Sequence, residues 1–111
     1  MSKTKIAVLV SGGGTNLQAL LDAEKSGVLR SGEIVLAVSN KAGAYALTRA
    51  ENAGVEALTL TRKDCGGQGG FEQALQEALE ARGVELIILA GFLSILSADF
   101  TARWKELIHE Q

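Results

Sequence analysis

A chain of 111 residues, 47% apolar and 22% charged, has room for a single domain with enough core to fold without disulfides or structural metals. Its net charge of −2 lacks the basic excess that marks nucleic-acid partners. The lone cysteine, Cys65, leaves no internal disulfide and fits a reducing, cytoplasmic compartment, and the apolar run at residues 6–10 is too short for a leader core or a membrane span.

Ile6-Ala7-Val8-Leu9-Val10 runs into Ser11-Gly12-Gly13-Gly14. A short unbroken apolar run of this kind predicts a strand buried on both faces. From Thr15 the period changes. Leu17, Leu20, Leu21 and Val28 share one helical stripe, with Gly27 as its stop. Residues 34–38 form a second buried strand, closing in Ser39-Asn40. A helix with the small core-facing residues Ala46, Leu47, Ala50 and Ala53 follows and stops at Gly54. Residues 55–60 predict a third, weaker strand, interrupted by Glu56 and Thr59. A glycine-rich loop (Gly66, Gly67, Gly69, Gly70) leads to an amphipathic helix with Phe71, Leu75, Ala78 and Leu79 on one face. Residues 86–90 are the fourth and most apolar strand, which Gly91-Phe92-Leu93 turns. Ser97 then caps a last helix carrying Phe100, Trp104, Leu107 and Ile108 inward, with Asp99 in its first turn. Strand and helix periods alternating across short loops predict one α/β domain over residues 1–111: a Rossmann-like parallel sheet with helices on both faces.

Ligands of such sheets sit beyond the carboxyl ends of the strands, near the switch between strands one and four. The candidate segments are therefore residues 11–16, Ser39-Asn40 and residues 90–96. The first is the most informative. Its glycines let backbone approach a ligand, and the amides opening the next helix favour a phosphate. Thr15 and Asn16 add side-chain donors. The bland alternative is a tight strand-to-helix turn and nothing more. The loop lacks the lysine of a nucleotide-triphosphate loop. It also lacks the third glycine of the dinucleotide fingerprint, and Ser39-Asn40 stands where that fingerprint needs an acid. A small phosphomonoester is the expected ligand.

Three stretches, Val10-Ser11-Gly12-Gly13-Gly14-Thr15-Asn16-Leu17-Gln18-Ala19, Val38-Ser39-Asn40-Lys41-Ala42 and Leu89-Ala90-Gly91-Phe92-Leu93-Ser94-Ile95-Leu96-Ser97, closely resemble phosphoribosylglycinamide formyltransferases. The resemblance runs along essentially the whole chain. It implies a purine-biosynthetic transfer of formyl from 10-formyltetrahydrofolate to the amine of glycinamide ribonucleotide. It further implies that Gly13, Gly14, Thr15 and Asn16 hold the ribonucleotide phosphate, that Gly91 lines the same cleft, and that Leu93, Ser94, Ile95 and Leu96 border the folate. Gln68 stands where the family carries a folate-contacting Arg or Lys, and Ala98 where it usually carries proline. The family's catalytic Asn-Ile-His-Pro segment and later Asp have no counterpart within these residues. The resemblance therefore implies a truncated formyltransferase-type domain: the phosphate-binding half, with no catalytic residue of its own and inactive alone. A non-catalytic phosphometabolite-binding module, a non-functional remnant and a related folate enzyme such as formyltetrahydrofolate deformylase are the alternatives.

Other conspicuous residues have plain readings. His109, expected at the fraying end of the last helix, has nothing to orient it as a base. Cys65 lies near Arg62 and Lys63 without a partner histidine. Phe100 and Trp104 read as core, and Asn40 as either a turn residue or a cleft donor. No metal ligand set is expected. Because family members continue the sheet beyond strand four, residues 86–90 are expected to form an exposed apolar edge. That edge would favour a homo-oligomer, or would dock a complementing carboxy-terminal chain.

Overall fold

A computed structural model describes residues 3–27, 31–92, 96–104 and, for the backbone, 108–110. Val28, Leu93, Ser94, Ile95, Leu107 and the side chain of His109 lie outside the described residues. Ten elements follow in order: β1 (Thr4–Val10), α1 (Thr15–Lys25), β2 (Gly32–Ser39), α2 (Tyr45–Asn52), β3 (Glu56–Thr59), α3 (Arg62–Cys65), α4 (Gln68–Ala81), β4 (Leu86–Leu89), α5 (Ala98–Arg103) and β5 (Ile108–Glu110). The strands pair in parallel throughout, in the order β3-β2-β1-β4-β5. The chain thus winds outward from β1 in one direction, then returns past it, which puts the switch point between β1 and β4. This is the predicted α/β architecture.

Each side of the sheet has its own core. On one side Leu17 and Leu21 of α1 and Ala46 and Ala50 of α2 cover Ile6, Val8, Val10 and Ile88. On the other, Phe71, Leu75 and Leu79 of α4 with Phe100 and Trp104 cover Ala7, Leu9, Leu36 and Ile87. Alternation along β1 sends successive residues to opposite cores, as the pleat requires. In β2 the phase slips. Ile6 pairs with Ile34 but Ala7 with Leu36, so Val35 is an extra residue that bulges the strand. Ile34 consequently faces the first core and Leu36 the second. A run apolar on both faces hides that slip, since either phase buries the same kind of side chain.

Several local expectations change. Residues 62–65, expected as loop, form the short helix α3, whose Thr61 hydroxyl accepts the Asp64 amide at 3.1 Å. Of the second glycine cluster, Gly66 and Gly67 join α3 to α4, while Gly69 and Gly70 lie in the first turn of α4. A Cβ on Gly70 would stand 1.8 Å from the Cys65 carbonyl oxygen, so that crossing requires glycine. Ala53 is exposed and Leu47 half-buried; α2 ends at Asn52, and its buried residues are Ala46 and Ala50.

The largest correction concerns the carboxy-terminal segment. The last helix ends at Arg103, and Ile108 lies in β5, not on that helix. Phe100 and Trp104 are buried as expected. The Trp104 indole donates to Gln76 Oε1 at 2.6 Å, giving the buried N–H its partner. Because β5 pairs with residues 87–89, the fourth strand is interior and not an edge. Ile88 is 7% exposed and belongs to the first core. The homo-oligomer argued from an open fourth strand loses its basis.

Candidate functional site

The carboxyl ends of β1, β2 and β4 meet where the strand order reverses. Ser39 is opposite Val10 in the ladder. One residue further on, the Ser11 hydroxyl donates to Asn40 Oδ1 at 2.7 Å, and the Asn40 amide reaches the Val10 carbonyl at 3.4 Å. On the other flank the Ala90 amide donates to the Leu9 carbonyl at 2.9 Å, so Gly91 leaves β4 beside the end of β1. The three candidate segments are therefore neighbours. Asn40 is half-buried and tied to Ser11. Ser39, fully buried, fixes its own turn by donating to the Lys41 carbonyl at 3.0 Å and accepting the Lys41 amide at 3.1 Å.

Within the first segment the glycines differ sharply. Gly12 and Gly13 are exposed, and a Cβ on either meets nothing within 4 Å. Gly14 is buried in a left-handed conformation with φ 82°, and a Cβ there would lie 2.7 Å from that of Ala46. Glycine at this position is demanded by α2 behind it. Gly14 also caps α1, with no side-chain cap and no acid in the first turn. The Gly14 carbonyl accepts the first helical bond, from the Gln18 amide at 2.8 Å. Thr15 and Asn16 stand exposed on that turn, whose amides have no carbonyl within the helix to receive them. Such an uncapped start suits an anion.

Arg49, unremarked in the sequence, reaches back from α2 to this loop. Its Nε donates to the Gly13 carbonyl at 2.7 Å and its Nη1 to Gln18 Oε1 at 3.2 Å. The guanidinium carbon lies 4.8 Å from the centroid of the Tyr45 ring. The only signal for it was its place on α2, one turn after Tyr45, and that spacing says nothing about the glycine loop.

Ser97, which opens α5, is held from α4. Ser97 caps α5 by accepting the Phe100 amide at 3.2 Å. Its own amide and hydroxyl each donate to the Glu72 carboxylate at 2.6 Å. Burial by itself would raise the Glu72 pKa. The two bonds from Ser97, one from Gln68 and the charge of Arg62 outweigh it, and hold the carboxyl below its ordinary value. Gln68 begins α4 instead of lying in a loop. Its side-chain Oε1 accepts from Arg62 Nε and its side-chain Nε2 donates to Glu72 Oε2 at 2.7 Å. Leu96 is half-buried against the second core, while Leu93, Ser94 and Ile95 are outside the described residues. Phe92 stacks on Phe71 with ring centroids 6.5 Å apart.

Among the described residues no cluster of three His, Cys, Asp or Glu side chains could hold a metal, and no helix is long and apolar enough to cross a membrane.

Comparison with known proteins agrees with this fold. Residues 4–110 match the sequence profile of the family described as formyl transferase. The trifunctional purine biosynthetic protein adenosine-3 of Gallus gallus is 46% identical over 104 residues, which cover 94% of this chain and 10% of that protein. The phosphoribosylglycinamide formyltransferase of Haemophilus influenzae is 42% identical over 90% of this chain and 47% of its own length. Among solved structures, glycinamide ribonucleotide transformylase 1 from Symbiobacterium toebii superposes with a TM-score of 0.90 at 37% identity, over 97% of this chain and 50% of that one. The chain thus spans about half the length of the single-activity relatives it matches.

Proposed function

The chain belongs to the formyl transferase family, and we propose that it supplies the ribonucleotide-phosphate half of a phosphoribosylglycinamide formyltransferase of purine biosynthesis. The observation that carries this is the uncapped, acid-free start of α1 beside the exposed Gly12-Gly13 turn at the β1/β4 switch. Gly13, Gly14, Thr15 and Asn16 hold the phosphate of glycinamide ribonucleotide in this reading, and Gly91 lines the cleft next to them. The co-substrate, 10-formyltetrahydrofolate, lies toward the segment of Leu93, Ser94, Ile95 and Leu96. Gln68 is linked through Glu72 to Ser97, the residue that follows Leu96.

Formyl transfer needs an amine nucleophile free of its proton, donors for the oxyanion of the tetrahedral intermediate, and a group to relay the proton to the departing folate nitrogen. The present residues bind and orient in this reading, and the carboxy-terminal half of such an enzyme supplies the rest. That half would extend the sheet beyond β5, which stands at its margin. Formyl transfer by the 111-residue chain, assayed with and without the carboxy-terminal half of the Haemophilus influenzae relative, tests this. The expected result is no turnover alone and turnover in the mixture. Turnover by the chain alone, lost in His109→Ala, would overturn it.

A further inference from the structure

The peptide joining Gly13 to Gly14 has an orientation that follows from one contact. Its carbonyl points at Arg49 on α2, with Nε 2.7 Å away. A trans peptide is planar and directs its C=O and N–H to opposite sides, so the Gly14 N–H points away from α2, toward the exposed turn. The next peptide follows the left-handed φ of 82° at Gly14, where a side chain would run into Ala46 of α2. Arg49 is itself held at two further points, by Gln18 on α1 and by the face of the Tyr45 ring. A planar guanidinium with several donors can make this set of contacts at once, and a lysine ammonium cannot match its geometry.

We propose that Arg49 is a positioning residue of the phosphate loop: reaching from α2, its guanidinium fixes the Gly13–Gly14 peptide so that the Gly14 N–H faces the anion. This rests on the phosphate reading above and adds to it the element that builds the cradle. Without the Arg49 bond the Gly13–Gly14 peptide is free to flip, because glycine opposes neither orientation. A flipped peptide would present a carbonyl oxygen to the phosphate and repel it. Charge alone does not perform this task; the fork does.

The test uses the full chain with two variants, Arg49→Lys and Arg49→Gln, and inorganic phosphate as the probe. Backbone amide relaxation in the absence of ligand reads the order of Gly13 and Gly14, and amide shifts on titration read affinity. Expected is faster local motion at both glycines in each variant, with phosphate affinity lowered about tenfold in both, the scale of one charge-assisted hydrogen bond. Parent-like affinity in Arg49→Lys would show that charge suffices and would overturn the proposal. A lowered melting temperature with unchanged affinity would do the same, since that is all a merely structural arginine predicts. If the parent shows no phosphate-dependent shift, the phosphate reading fails separately. The relaxation data still decide the anchoring claim, because unchanged order in Arg49→Lys contradicts it.

Discussion

The two faces of the sheet meet the same covering problem with opposite materials. On the α1 and α2 side the contacts of α2 are made by Ala46 and Ala50, so backbone comes close to backbone and Gly14 has no room for a side chain. On the α4 and α5 side the filling includes four aromatic rings, Phe71, Phe92, Phe100 and Trp104, beside Leu75 and Leu79. The close-packed face delivers an accurately placed loop at the end of β1. The bulky face holds the start of α5, through Glu72 and Ser97. One face therefore breaks when atoms are added, and the other when they are removed.

The largest expected effect is on the bulky face. Phe71 is fully buried, and Phe71→Ala should destabilise by about 3–5 kcal/mol, through lost burial and the cavity left behind. Urea unfolding followed by tryptophan fluorescence would measure it. A loss below about 1 kcal/mol would mean that this face can collapse around the gap.

Next comes the close-packed face. Gly14→Val adds atoms against Ala46 and forces a β-branched residue into a left-handed conformation. The expected cost is about 2–4 kcal/mol. Gly13→Ala is its control. The added methyl meets open space, so the midpoint should stay within about 0.5 kcal/mol of the parent. Equal losses at the two positions would erase the distinction between them.

How much of this was legible beforehand follows from the same contrast. Period and length marked β1, β2, β4 and α4, because a change from continuous apolar runs to a 3.6-residue stripe is a local signal. Ser97 as a cap and Phe100 and Trp104 as core were legible for the same reason. The glycine loop was recognisable as a turn before a helix. The reason for Gly14 was not, because the atom that excludes a side chain belongs to Ala46, thirty-two positions away in sequence. Arg49 was hidden for the same cause. β5 was missed because Trp104, Leu107 and Ile108 also fit a helical spacing, and only pairing with residues 87–89 separates the two assignments. Local patterns disclosed the elements; the contacts that shape the site are long-range.

A smaller effect tests the anchor at the start of α5. Ser97→Ala removes the cap of α5 and should cost about 1 kcal/mol. Glu72→Gln should be less stable than the parent at neutral pH. A carboxyl whose pKa is lowered on folding contributes stability above its unfolded pKa and loses it as pH falls through the folded value. The gap between parent and Glu72→Gln should therefore shrink below about pH 4.3. Urea midpoints taken at stepped pH would show it, and a gap that stays constant to acid would remove Glu72 as the anchor.

The central claim is that the close-packed face exists to present a phosphate cradle at the β1/β4 switch. Titration of glycinamide ribonucleotide into the isotope-labelled chain, with amide shifts read residue by residue, tests it most directly. The account predicts the largest shifts at Gly13, Gly14, Thr15, Asn16 and Leu17, reversed by competing inorganic phosphate. Shifts centred instead on the groove between α4 and α5, around Gly69, Gln73 and Arg103, or insensitive to phosphate, would contradict it.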